Sequence, residues 1–281
     1  MYKKPNTVII GGSGLLEIPG AMILNDNIAP NGLLLIKIPG CDIPVYFLAR
    51  HGKGHTIPPH LVDEKTNFLS FLKKGIQYVI NFTSVGSLCA EIQPGDIVLY
   101  DNIQDETKNR PNTFSQKGFV LHVSTNDPFC PDLKFLALKT LKNLRIRHHT
   151  GNCVCIEGPT FGDIHASLRY IRDGNRIVGM TQEPQRKLGC EAGLCMISFA
   201  MVTDYDCWKK GEEVSQEIVA QRSRENLQKI IGIIKNMVPE IPDSHRCTHC
   251  YHPPSCVATN RKLWPNDAQA LAKMIFRYDE I

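Results

Sequence analysis

Short runs of β-branched and aliphatic residues, each closed by glycine or a polar turn, recur along the chain at Val8–Ile10, Val45–Ala49, Tyr78–Phe82, Ile97–Tyr100, Cys153–Ile156 and Met196–Val202. Such runs predict buried strands. Between them apolar residues return at helical spacing. Helices are predicted over Phe68–Lys74, stopped by Gly75, over Asp132–Leu144, over Asp163–Asp173 and over Val214–Met237, where Ile218, Leu227, Ile230, Ile231 and Ile234 share one side. Strands alternating with helices predict an α/β fold whose mixed or mostly parallel central sheet is flanked by helices on both faces. No Pro/Gly/Ser-rich linker interrupts the chain before about Pro239, so residues 1–238 are expected to form one domain. From Pro239 to Pro265 the composition turns to Pro, His and Cys, and a last helix is predicted over Asp267–Arg277. Residues 239–281 are therefore expected to be an appended segment packed on the same domain.

Composition narrows the function classes. With 281 residues, 42% hydrophobic and 21% charged, disorder and fibrous architectures are excluded. A net charge of +4 falls short of a basic nucleic-acid-binding surface, while a small anion needs only local positive groups. The start of the chain carries Lys3 and Lys4 ahead of a brief apolar stretch, too short for a secretory signal. The runs Leu33–Ile38 and Leu194–Val202 fall well below the roughly 18 residues of a membrane helix. Eleven cysteines in a chain of this length are too sparse for a disulfide scaffold, which favours a reducing, cytoplasmic location with no membrane partner.

Four motifs follow strand-like runs, where ligands collect in open α/β sheets. Gly11-Gly12-Ser13-Gly14 offers backbone N–H groups and the Ser13 hydroxyl to an anion, and reads equally as a plain tight turn, since neither G-x-G-x-x-G nor a P-loop is present. Arg50-His51-Gly52 sets a permanent guanidinium beside an imidazole, suited to gripping a phosphate oxygen or simply forming a solvated basic loop. Thr83-Ser84-Val85-Gly86 ends a strand in hydroxyls and glycine. Asp204-Tyr205-Asp206 places two carboxylates on one side of an extended segment. Without a third ligand nearby they point to a donor-rich ligand rather than a metal, the structural alternative being a turn capped by Asp206.

These motifs occur in order with His55-Thr56-Ile57-Pro58-Pro59, Ile92-Gln93-Pro94-Gly95-Asp96, Pro128-Phe129-Cys130-Pro131, Glu157-Gly158-Pro159, Gly179-Met180-Thr181 and Cys207-Trp208. From about residue 7 to about residue 237 the set resembles the 5'-methylthioadenosine phosphorylases of the trimeric purine nucleoside phosphorylase family. The resemblance implies a single-domain nucleoside phosphorylase fold and a homotrimer. It also implies phosphorolysis of methylthioadenosine to adenine and 5-methylthioribose 1-phosphate, with inorganic phosphate as co-substrate and no cofactor. Carried over position by position, it assigns Ser13, Arg50, His51, Thr83, Ser84 and Thr181 to phosphate, Met180 to the ribose, Phe161 to the base, and His122 to a neighbouring subunit's 5' pocket. Asp204 falls to purine N7, protonated when it acts, and Asp206 to the 6-amino edge; an Asn at the first position would suit 6-oxopurines. Departures are Thr160 and Gly162 where the family carries Arg and Ser or Thr, and Val62-Asp63-Glu64-Lys65-Thr66-Asn67 in place of Val-Asn-Tyr-x-Ala-Asn. They keep two alternatives open, a 6-oxopurine or broad-specificity phosphorylase and a catalytically weak nucleoside-binding member.

Outside the resemblance, residues 245–256 hold three cysteines and three histidines. Cys247-x-x-Cys250 is half of a common zinc site that Cys256 or a histidine would complete. A reversible thiol pair and ordinary free cysteines are the other readings.

Overall fold

The computed structural model describes residues 5–13, 15, 17–25, 32–212, 214–243, 247–252 and 254–276. Lys3, Lys4, Gly14, His245, Arg246, Pro253 and Arg277 of the expectations above lie outside the described residues. In chain order the elements are β1 (Thr7–Gly11), β2 (Met22–Asn25), β3 (Leu34–Lys37), β4 (Val45–Ala49), α1 (Glu64–Lys74), β5 (Tyr78–Ser87) and β6 (Ile97–Glu106). They continue with α2 (Pro131–Asn143), β7 (His148–Ile156), α3 (Ile164–Arg172), β8 (Ile177–Gly179), α4 (Gln185–Glu191), β9 (Cys195–Asp204), α5 (Gln216–Met237) and α6 (Asn266–Phe276).

The nine strands form one mixed sheet in the order β2-β3-β4-β1-β5-β8-β7-β6-β9, and β9 returns to pair with β5. Five strands thus close on themselves as a small barrel, from which β1 and β4 continue as a parallel extension and β3 and β2 as an antiparallel rim. The long parallel pairing of β5 with β9 runs from Tyr78 opposite Cys195 to Val85 opposite Val202, then skips a residue so that Gly86 faces Asp204. Thr203 is the extra residue of this bulge, its hydroxyl turned back to the Val85 carbonyl at 3.2 Å.

Alternation along the strands feeds two cores. Val8, Ile10, Val79, Met196 and Ala200 pack toward Phe68 and Phe71 of α1, Leu188 of α4 and Ala272 and Ile275 of α6. Ile9, Ile80, Ile197 and Phe199 pack toward Leu133 and Leu141 of α2 and Ile230, Ile233 and Ile234 of α5. Strands buried on both sides read as continuous apolar runs, which is why they were visible in the sequence. Residues past Pro239 contribute to both cores, through Ile241, Cys247 and Cys250 on one side and Trp264 and α6 on the other.

Elements run beyond the predicted limits where capping or pairing extends them. α1 begins at Glu64 because the Asp63 carboxylate accepts from the Thr66 N–H at 3.0 Å. β5 continues through Thr83–Ser87, expected as the loop after the strand, because β9 and β8 supply partners along its whole length. β2, β3, β8 and α4 lacked a usable pattern; all four are at most seven residues long, and β2 is exposed throughout. No helix among the described residues is long and apolar enough to cross a membrane.

α3 is opened by Asp163, whose side chain accepts from the His165 and Ala166 N–H groups at 2.8 and 3.0 Å. Asp163→Ala is expected to lower the urea-unfolding midpoint with the slope unchanged; an unchanged midpoint would contradict the cap.

Candidate active site

The turn after β1 and the loop after β4 meet over the middle of β5. Leu15 donates its N–H to the Gly12 carbonyl at 2.9 Å, so the glycine motif does form a tight turn. Beneath it lies Arg50, 2% exposed. A Cβ on Gly12 would come within 2.8 Å of the Arg50 Nη2 and 3.0 Å of the Phe82 carbonyl, so the absent side chain is what admits the guanidinium. Arg50 donates through Nη1 to Asn81 Oδ1 at 2.9 Å and through Nη2 to the Phe82 carbonyl. Asn81 in turn donates to Gln185 Oε1 at 2.6 Å, and Gln185 donates to Glu64 Oε1 at 2.5 Å. Glu64, also bonded to Asn67, is the buried countercharge of this network. Burial raises its pKa and Arg50 opposes that rise. Burial likewise lowers the guanidinium to about 10, which leaves it cationic at neutral pH.

His51 does not add a second positive charge. Burial first, and then neighbouring Arg50, push its pKa down to about 3. Its Nδ1 lies 2.9 Å from the Ile57 carbonyl, so the neutral ring donates there and keeps Nε2 as an acceptor. The ring stacks on His55 with centroids 4.3 Å apart.

Thr83 and Ser84 point to opposite sides of β5, as neighbours on a strand do: Thr83 bonds the Tyr100 hydroxyl at 2.7 Å and Ser84 the Ser223 hydroxyl of α5 at 3.0 Å.

The two aspartates converge by a route other than extended alternation. Asp204 ends β9, and the chain then turns so that Asp206 adopts a left-handed backbone, φ 50°. Asp204 Oδ1 accepts from the Asp206 N–H at 2.8 Å and Oδ2 from the Thr203 hydroxyl at 2.7 Å. Asp206 Oδ2 accepts from Ser167 of α3 at 2.5 Å. Both carboxyls are nearly inaccessible, and burial raises both pKa values. They lie over Gly86, where a Cβ would stand 2.8 Å from Asp204 Oδ1 and 3.2 Å from the Asp206 Cβ.

A cavity of about 930 Å³, including its open mouth, joins these groups. Ser13, Arg50, His51, Thr83, Ser84, Thr181, Met180, Phe161, Asp204 and Asp206 all line it, so ten of the sequence-assigned residues come together in one place. His122 does not line this cavity; it is exposed, and its N–H donates to the Cys256 carbonyl at 2.9 Å. Thr160 is exposed and also absent from the lining, whereas Gly162 lines it and accepts from the Cys207 thiol at 2.9 Å. Val214, Gln216 and Val219, unassigned from the sequence, complete one wall. Also unforeseen is Arg110, 9% exposed, whose guanidinium donates to the Met180 and Glu183 carbonyls at 2.7 Å each and to the Glu157 carbonyl at 2.5 Å. It ties together two loops that carry cavity residues.

The tail cysteines lie elsewhere. Cys247 and Cys250 gather with Cys130 and Cys195, while Cys256 stands outside that group and His249 is bonded to the Asp127 carbonyl at 2.8 Å. The expected completion by Cys256 or a histidine is thus replaced by two cysteines distant in sequence.

Residues 42–239 match the family model described as the phosphorylase superfamily. The chain is 39% identical to the S-methyl-5'-thioadenosine phosphorylase of Hyperthermus butylicus, over 88% of this chain and 93% of that protein. It is 34% identical to the 6-oxopurine nucleoside phosphorylase of Pyrococcus furiosus, over 86% and 96%. Among solved structures it resembles a methylthioadenosine phosphorylase from an antarctic soil metagenomic library, with TM-score 0.85, 29% identity and coverage of 97% and 99%.

Because His51 stays neutral when folded to about pH 3 but protonates near 6.5 when unfolded, the unfolded chain binds more protons between these values and stability falls as pH falls. Relative to a His51→Gln variant, lowering the pH to about 5.5 is expected to cost the native chain about 1.4 kcal/mol. Parallel pH dependences of the two proteins in chemical unfolding would contradict the neutral, buried ring.

Proposed function

Since the chain belongs to the phosphorylase superfamily, we propose that it cleaves S-methyl-5'-thioadenosine with inorganic phosphate, releasing adenine and 5-methylthioribose 1-phosphate, without an organic cofactor. The observation that carries the reading is one cavity holding a buried cation among hydroxyls together with a pair of buried carboxyls. Phosphate is assigned to Ser13, Arg50, His51, Thr83, Ser84 and Thr181. The Arg50 Nε has no hydrogen-bond partner among the described residues, so its N–H is available to an anion. Neutral His51 would accept a hydrogen bond at Nε2 from the hydroxyl of HPO₄²⁻, directing an unprotonated oxygen toward the sugar.

In the displacement a phosphate oxygen bonds to C1' as the C1'–N9 bond breaks, and the bonding pair leaves with the purine. The ribosyl centre is cation-like and the base gathers negative charge, so donors fixed on both partners stabilise the transition state. Asp204, held toward its protonated form by burial, supplies a proton to N7. Asp206, anchored by Ser167, accepts from the 6-amino group. Met180 packs on the ribose and Phe161 flanks the base. A 6-oxopurine would set its carbonyl against an acceptor, which disfavours the broader reading that the Pyrococcus relative raises.

The active form is proposed to be a homotrimer. Phe161, Ile164 and Leu168 leave apolar surface exposed beside the cavity, and exposed His122 is free to reach a neighbour's pocket. None of the eleven cysteines is joined in a disulfide, which suits a cytoplasmic enzyme.

Base release from methylthioadenosine, adenosine, methylthioinosine and inosine, with and without phosphate, tests the reaction. Phosphate-dependent adenine release from methylthioadenosine is the expected result; preferential hypoxanthine release, or binding without cleavage, would overturn it. Asp204→Asn is expected to slow adenine release by about 10²-fold, while 6-oxopurine nucleosides lose less; unchanged selectivity would remove the N7 role. Sedimentation analysis is expected to give the mass of three chains, and a monomer fully active at assay concentration would refute the shared pocket.

A further inference from the structure

Cys130, Cys195, Cys247 and Cys250 come from three separate parts of the chain. Cys130 is the N-cap residue of α2, Cys195 opens β9, and Cys247 and Cys250 flank a turn in the tail closed by the Tyr251 N–H on the Cys247 carbonyl at 2.9 Å. Their sulfurs all lie within 4.8 Å of one another, and all four residues are buried. The Cys130 and Cys247 sulfurs are 3.8 Å apart. In a tetrahedron with metal–sulfur distances of about 2.3 Å, neighbouring sulfurs are separated by about 3.8 Å. None of the four lines the active-site cavity.

We propose that these four cysteines form a structural zinc site. Two ligands come from a Cys-x-x-Cys turn and two from the scaffold, a closed sulfur set with no open position for catalysis. The tail gives a reason for such a cross-link: between residues 241 and 260 the described residues contain neither an α-helix nor a strand, so few backbone hydrogen bonds hold it to the domain. Cys130 caps the N-terminus of a thirteen-residue helix, where the helix dipole favours negative charge, which suits a thiolate ligand. On binding, Zn²⁺ gains four thiolates and the four thiol protons pass to solvent; no electrons are exchanged. The site concerns how the tail is fastened and does not depend on phosphorolysis.

Metal analysis of the full chain, purified under reducing conditions without added metal, is expected to find about one zinc per chain. Cys247→Ser and Cys250→Ser should lower this to background, while Cys256→Ser and Cys41→Ser retain it. A ligand variant that misfolds would lose metal trivially, so the native chain is also stripped with chelator and reconstituted with cobalt(II). A thiolate-to-cobalt charge-transfer band with the intense visible spectrum of a tetrahedral centre is expected. Absence of both zinc and the cobalt spectrum in the reduced native chain overturns the proposal. So does full zinc content in Cys247→Ser, iron in place of zinc, or an intact mass lower by two or four hydrogens, which marks disulfides instead.

Discussion

Removing a guanidinium from water costs several kcal/mol unless its surroundings replace the lost hydration, and Arg50 is almost wholly removed from it. Much of the local architecture meets that demand. Gly12 has no side chain because the guanidinium lies beneath it, Asn81 occupies a buried position of β5, and Gln185 relays hydrogen bonds to Glu64. Glu64 and Gln185 sit on α1 and α4, helices adjacent in the same core layer, so helix packing and charge neutralisation are one problem solved together. An anion bound in the cavity would then meet a cation whose orientation is already set, with little reorganisation left for the moment of reaction.

Preorganisation takes the opposite sign at the other end of the cavity. The Asp204 and Asp206 carboxyls are kept from water and pushed toward protonation, while Thr203, Ser167 and backbone N–H groups limit how far that goes. A carboxyl balanced in this way can both give a proton and take it back. His51 belongs to the same logic: burial beside a permanent cation makes it an uncharged acceptor.

Much of this was legible in the sequence, and the limits have physical causes. Buried strands and amphipathic helices announced themselves through periodicity, and residues at strand ends with strong chemistry, such as Arg50 and Asp204, stood out. Residues that act through another residue did not. Glu64 stood only within a departure from the family pattern ahead of the predicted helix, Ser167 looked like an ordinary helix position, and Arg110 lay in a stretch without pattern, because their roles depend on long-range contacts to Gln185, Asp206 and the Met180 and Glu183 carbonyls. The cysteines show the same limit: a local Cys-x-x-Cys was visible, but its neighbours Cys130 and Cys195 are brought to it only by the fold.

The bulge at Thr203 decides which residue of β9 stands opposite Gly86. Along a strand, side chains alternate between faces, so the skipped residue reverses the parity of everything after it. Up to Val202 each residue of β9 matches one of β5; beyond it Asp204 takes the place opposite Gly86 that unbroken pairing would have given to Thr203. Straightening the bulge at unchanged chain length would set Thr203 opposite Gly86 and move Asp204 one place on, with composition, charge and nearly all of the core intact. In this fold the group presented beside Gly86 is set by pairing register as much as by residue type.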